Sequence, residues 1–560
     1  MDNQRIILWA LFGSLAFVTW TTWQAEHQPA PGAEASLTAG TSGNEAEVAI
    51  KTDIDLPIVA APADGIAAQT PSVVAQADGP KPVVKKSAPV VLVNTDFLNV
   101  EISTLGGTLV NATLPQYPLH KDNPEIPVQL LSNIPGKEYV IATGLVDTER
   151  NGPTHLTLLN SSGSVFELTE GQNELRVPLT WTDGAGVNIE KIYHFQRSRY
   201  DIGVEYRITN NSTQPWRGLA YLQIQKDYVP VERSMFDVDT YSFRGPVVYD
   251  GTKYEKIDPD DMEDEPVDLS VAGGWIAAIE HHFLTAAVPT DADVYNYDGK
   301  FAGEKITLRG TGPTLTVAPG ETRSISSTLF VGPKLQSQLN ETAPGLALTV
   351  DYGMLTLLAQ PLFKLLEFIH GLIGNWGWSI ILVTFLIKAV FYKLTEASGR
   401  SMAKMRKLQP RLKALQERYK DDRQALSTQM MDLYKREKVN PAAGCLPMLI
   451  QIPFFISFYW VLLESVEMRQ APFALWITDL SSRDPYFILP LLMGAAMFVQ
   501  QKLNPAPPDP MQAKIMSILP IMFTGFFAFF PSGLVLYWLT NSVLSVLQQW
   551  NINRKMNVET

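Results

Sequence analysis

The sequence predicts a multi-domain membrane protein: six transmembrane α-helices, five of them gathered in a C-terminal core, and a large external β-sandwich domain. Three observations carry this. A mean hydropathy near zero conceals a polar N-terminal part and a very apolar C-terminal part, whose runs are about as long as a bilayer is thick. From about Pro89 the texture is instead one of short alternating segments, the period-two pattern of half-buried strands. Within the apolar part, residues 393–438 hold thirteen Lys and Arg against six Asp and Glu, an asymmetry that orients the chain in its membrane.

The elements follow in order. "MDNQR" and then "IILWALFGSLAFVTWTTW" give a charge-then-apolar order with no small-x-small cleavage site close behind, so 1–24 reads as an uncleaved anchor. Residues 25–88, rich in Ala, Pro, Gly, Glu and Val without periodicity, form a linker. Residues 89–335 hold "VVLVNTDFLNVEIST", "VNIEKIYHF" and "DIGVEYRITNN", punctuated by Gly, Asn, Asp and Pro, and form the β-sandwich. This domain shows no HExxH or Walker A motif. His281 and His282 are adjacent, so on a strand they would face opposite sides and share no metal; they read as structural. A sugar or peptide groove stays open as an alternative. No metal or cofactor is implied anywhere in the chain.

A connector and an interfacial amphipathic helix occupy 336–375, where Gln360, Lys364, Glu367 and His370 form a narrow polar stripe on an apolar helix. Candidate spans follow at 376–394, 445–463, 485–503, 512–530 and 534–551. They make a five-helix core, 376–552, with a tail at 553–560. The loop 395–440 reads as a helical hairpin, because Met402, Met405, Leu408, Leu412, Leu415 and Tyr419, then Leu426, Met430 and Leu433, recur every three or four residues. Placing this basic loop in the cytoplasm puts both termini there and the β domain outside. The hairpin would then contact anionic lipid, or receive a partner or nascent chain on its methionines.

A net charge of −12 argues against nucleic acid as a specific ligand. Cys445 is the single cysteine, which excludes a disulfide within the chain, and it reads as a small packing residue.

The polar residues of the spans are unevenly placed. "WGWSIILVTFLIKAVFYKL" carries Lys388 roughly 18 Å from Trp376 and roughly 7 Å from Lys393 along a helix. Either its stem snorkels to the nearer headgroups or it faces a wet site inside the protein. Thr384, Lys388 and Tyr392 are spaced by four and share a face. Gln451 opens the third span, Gln500 and Gln501 close the fourth, Gln512 and Ser517 open the fifth, and Asn541, Ser545 and Gln548 lie late in the sixth. All belong to central or cytoplasmic levels. Thr384, Ser457 and Thr524 lie near mid-depth and Glu464 near the external end. This asymmetry points to a polar concavity open to the cytoplasm and sealed outside.

"SMAKMRKLQPRLKALQERYKDD", "KVNPAAGCLPMLIQIPFF", "RQAPFALWITDLS", "DPMQAKIMSILP" and "FPSGLVLYW" closely resemble the YidC/Oxa family of membrane insertases. The resemblance covers about 376–552, and the anchor with an external β domain matches the Gram-negative form. It implies a five-helix core with a hydrophilic groove open to cytoplasm and lipid, and a supersandwich-like external domain. It also implies insertion and folding of integral membrane proteins without enzymatic chemistry, alone or beside the Sec translocon. The partners implied are nascent membrane proteins, the Sec translocon, membrane lipids and, as a further candidate, the ribosome. In the family the charged groove residue is usually arginine, and Lys388 stands at its position. Thr384, Phe455, Met493 and, at a position often tyrosine, Trp538 also carry over as groove or substrate-facing positions. A transporter or channel using Lys388 as an anion site is the rival; inverted repeats, paired broken helices and a second intramembrane charge would favour it. A scaffold binding envelope components through its β domain is the third reading.

Overall fold

The computed structural model describes residues 88–147, 152–230, 242–290, 293–419, 422–437, 439, 446–503 and 510–558. The expected anchor, all but the last residue of the linker, and Cys445 lie outside the described residues.

Between Val90 and Pro333 the described residues form nineteen strands in two sheets, one of ten and one of nine. Alternation explains why they pack: along Asp201–Asn210 the side chains of Ile202, Val204, Tyr206 and Ile208 are buried while their neighbours are not, so one face of the strand seals the core. In one sheet Trp216–Asp227 pairs with both Lys305–Val317 and Tyr139–Asp147. In the other, Asp201–Asn210 pairs with Val187–Gln196 and Thr322–Pro333. The interior holds an unexpected cation, Lys191, 1% exposed, whose ammonium donates to the carbonyls of Gly106, Gly107 and Thr143 at 2.7, 3.0 and 3.1 Å. Burial lowers its pKa well below the usual lysine range.

His281 and His282 correct the sequence expectation. They do not alternate along a strand but occupy the turn between Trp275–Glu280 and Phe283–Pro289. His281 has φ 46°, and the two rings stack with centroids 3.7 Å apart. The turn puts both on one side, where each Nε2 lies near the Leu463 carbonyl, at 3.2 and 3.0 Å.

Helices follow the sheets: α1 (Gln336–Thr342), α2 (Thr356–Ile373), α3 (Trp376–Val390), α4 (Tyr392–Arg418), α5 (Arg423–Arg436), α6 (Leu446–Glu464), α7 (Ile488–Leu503), α8 (Pro510–Phe527) and α9 (Ser532–Val558). Gly374, at φ 72°, ends α2 in the left-handed conformation. The next residue, Asn375, caps α3 by accepting from the Trp378 amide at 3.1 Å. By length and apolarity one described helix, Gly353–Ile373, could cross a membrane, or two if the bent pair Trp376–Val390 and Tyr392–Ser401 counts as one span. Ile450–Glu464, Ile488–Leu503 and Lys514–Phe527 are apolar but shorter. The segment expected to lie in the interface is therefore the longest apolar helix; Gln360, Lys364 and Glu367 are exposed on it.

α4 and α5 form the hairpin the heptad-like spacing predicts. Leu408 and Leu412 pack with Tyr434 and Val439, joined by Met405, Met430 and Leu433. Asp422 caps α5, accepting from the amides of Gln424 and Ala425. A single apolar cluster runs from the sandwich through Leu339, Leu346 and Tyr352 into Leu362, Phe458 and Tyr537. The β domain and the helices thus share one core.

Candidate functional site

Three helices bring the polar residues together. Lys388 on α3 points to α9, where its Nζ donates to Ser545 Oγ at 2.7 Å. Ser545 in turn donates to the Asn541 carbonyl one turn earlier, at 2.7 Å. The Asn541 side-chain oxygen accepts a hydrogen bond from the Gln451 amide on α6. Gln548, one turn beyond Ser545 on α9, donates to the Tyr392 carbonyl at 3.3 Å. In an apolar surround each group needs such a partner, because an unpaired polar atom there costs several kcal/mol. The chain from Lys388 through Ser545 and Asn541 to Gln451 satisfies them mutually.

Ile387, Lys388, Phe391, Leu394, Thr395, Ile450, Gln451 and Phe454 line a cavity of about 20 Å³ beside this chain, room for about one water. Ile387, Phe391, Leu394, Thr395, Ile450 and Phe454 escape sequence reasoning because five are apolar, and only Thr395, two turns after Lys388, carries a polar signal.

The remaining candidates divide. Phe455 and Trp538 meet edge to face with centroids 4.3 Å apart, and Phe455 also stacks on Tyr537 at 6.0 Å. Thr384 is 1% exposed, and its hydroxyl donates to the Ile380 carbonyl of its own helix at 2.7 Å. Met493 is fully buried at 0%. Gln500 is half-buried near the end of α7. Ser517 is exposed on α8, bonded to the Lys514 carbonyl at 2.7 Å. Tyr392 follows a break: the chain bends by 63° between α3 and the start of α4, and Tyr392 is half-buried at that start. The side chain of Gln512 lies outside the described residues.

α7 and α8 approach closely at Gly494, where a Cβ would sit 2.0 Å from Thr524 Oγ1. Only glycine permits that contact. A second, larger cavity of about 420 Å³ lies further toward the start of α3, lined by apolar residues such as Ile373, Trp378 and Phe385 with Thr540 and Leu544 of α9.

Comparison with known proteins matches residues 368–559 to the 60Kd inner membrane protein family and residues 90–365 to the YidC periplasmic domain. The membrane protein insertase YidC of Thioalkalivibrio sulfidiphilus is 46% identical over 99% of both chains. That of Nitrosococcus oceani is 43% identical over 100% of both. A crystal structure of an active YidC insertase with its first transmembrane domain resolved aligns at TM-score 0.37 and 20% identity, covering 82% of this chain and 94% of that one. The chain belongs to the 60Kd inner membrane protein family, that of the YidC membrane protein insertases.

Proposed function

We propose that this inner-membrane insertase passes its substrates, nascent membrane proteins, by the polar junction of α3, α6 and α9, with Lys388 as its charged element. Lys388 carries the reading: its ammonium is held by Ser545, a neutral hydroxyl, so that contact leaves the charge uncompensated. A substrate carboxylate would complete it. Insertion is a change of solvent, not covalent chemistry. An apolar span of about 20 residues gains on the order of −10 kcal/mol, while each charge carried with it costs about +2.5 to +3.5 kcal/mol. A wet site between helices shortens the dry path for that charge and lowers the barrier.

The basic hairpin α4–α5 supports a cytoplasmic position and hence six spans, counting the anchor 1–24, with both termini cytoplasmic. The bend after Val390 accounts for one span that a straight-helix criterion misses, and the polar residues of α9 account for another. The domain from Val90 to Pro333 is periplasmic. Action beside the Sec translocon and contact between the hairpin and a ribosome belong to the same reading, as does lipid contact along the exposed apolar faces of α2 and α8.

Reconstitution tests it. Proteoliposomes containing the purified full chain and no translocon should protect a small single-span substrate from protease. Protection no greater than in empty liposomes would overturn the proposal.

A further inference from the structure

The cavity of about 420 Å³ lies on the same two helices as the polar junction but apart from it. On α3 it is lined by Trp378, Ile381, Leu382 and Phe385, at spacings of three, four and seven from the first. They make one face about 10 Å long, nearer the helix start than Lys388. On α9 the lining residues Thr540 and Leu544 each stand one position before Asn541 and Ser545, so they are turned about 100° around the helix from the junction. Ile373, at the end of α2, adds a third wall.

The chemistry of these walls selects what can fill the space. At about 30 Å³ each, about 14 water-sized groups fit. Buried water needs two to four polar partners, and among the described residues that line the cavity the Thr540 hydroxyl and the Trp378 indole N–H are the only side-chain hydrogen-bonding groups. A methylene is about as large as a water and needs no partner, so the volume suits one acyl chain of ordinary length. The surroundings supply it. Trp378 and Phe385 are 52% and 53% exposed, and in an inner membrane protein such faces border lipid, so the cavity continues the lipid-facing surface inward. Trp376, stacked on His370 with centroids 3.8 Å apart, and Trp378 stand in the first turn of α3, where amphipathic rings settle at headgroup level. The lining runs from that level into the hydrocarbon.

We propose that this cavity is a fitted site for one acyl chain of a membrane phospholipid, held between α3 and α9 with its headgroup at the level of Trp376 and Trp378. The inference rests on the reading of α3 as a membrane span. The site differs from the lipid contact along α8, where Ile518, Ile521 and Met522 are exposed on a helix surface and chains exchange freely. Here walls from three helices surround a single chain, so it stays with the protein.

The test mixes the full chain in detergent with an equimolar phosphatidylethanolamine that carries a diazirine midway along one acyl chain, and maps the adducts by mass spectrometry after irradiation. Adducts should concentrate several-fold on Ile381, Leu382 and Leu544 over Ile521 and Met522, although the latter two are the more exposed. Thr540→Phe, which fills the cavity, should lower the adducts at Ile381 several-fold and leave those at Ile521 unchanged. If that variant does not accumulate, Leu544→Trp takes its place with the same readout. Adducts that follow exposure alone, or that either filled cavity leaves unchanged, would overturn the proposal in favour of ordinary surrounding lipid. A photo-crosslinker at Leu382 that captures a second copy of this chain or a helix of another protein in native membranes would overturn it as well. No adduct anywhere on α3, with α8 labelled, would overturn the span reading of α3 and the proposal with it.

Discussion

Replacing Lys388 by glutamate reverses the one charge in the α3–α6–α9 junction, and the size of the effect can be worked from its surroundings. The ammonium lies 2.7 Å from Ser545 Oγ beside a cavity with room for about one water. A substrate carboxylate that approaches across that water sits about 6 Å from Nζ. At an effective dielectric of about 20 the attraction is about 3 kcal/mol. Lys388→Ala forfeits it, roughly a hundredfold in transient occupancy. Lys388→Glu turns it into a repulsion of the same size, a swing of about 6 kcal/mol. Lys388→Arg keeps the charge and adds a fork suited to carboxylates. Substrates with acidic external tails should therefore insert in the order Arg and Lys, then Ala, then Glu, while neutral-tailed substrates change little. Protease protection of both kinds at matched insertase levels measures this. Equal insertion of acidic and neutral tails by the Glu variant would refute the charge argument. A lysine that merely snorkels predicts that outcome, with any defect following protein abundance.

Met493, fully buried, should act as a packing residue: Met493→Ala is expected to cost about 2–5 kcal/mol of stability, read as a lower melting temperature, with insertion falling only as folded protein falls. The histidine turn should make its contact with the Leu463 carbonyl acid-labile. Burial first, then the Lys334 charge, lowers the His281 pKa to about 3, and burial and His281 lower that of His282. Both rings are then neutral in the fold, so their contribution is complete above the unfolded value of about 6.5 and is lost as pH falls from there toward about 3. Unfolding followed across that range should show a steep loss that His281→Gln with His282→Gln flattens. Deleting 400–435, most of the α4–α5 hairpin, should impair insertion while the remaining helices fold; normal insertion by a stably produced deletion would reduce the hairpin to a lipid contact.

Hydrophobic runs and period-two alternation made the two-part architecture legible, because both are local patterns. The hairpin was legible for the same reason: Leu408, Leu412 and Met430 repeat at helical spacing and pack accordingly. What escaped was long-range or conformational. Lys388 was conspicuous, but its partner Ser545 is an ordinary residue 157 positions away. Glu464 stood out at the end of a span, yet nothing near it in sequence pointed to Lys334, 130 positions earlier. The bend after Val390 has no proline or glycine to announce it, so a straight span through Tyr392 was the natural expectation. At His281 a positive φ without glycine turned an expected strand into a tight turn. Thr384 was marked by its four-residue spacing from Lys388, and the sequence did not show that its hydroxyl donates to the Ile380 carbonyl of its own helix.

The central claim, that substrates pass the polar junction, is tested most directly by where a nascent chain can be captured. Photo-crosslinkers at Thr395 and Phe454, which line the cavity beside Lys388, and at Leu158, 58% exposed on the β domain, should be compared during insertion of a single-span protein. The account predicts strong capture from Thr395 and Phe454 and little from Leu158. Capture from Leu158 with none from the two cavity positions would contradict it.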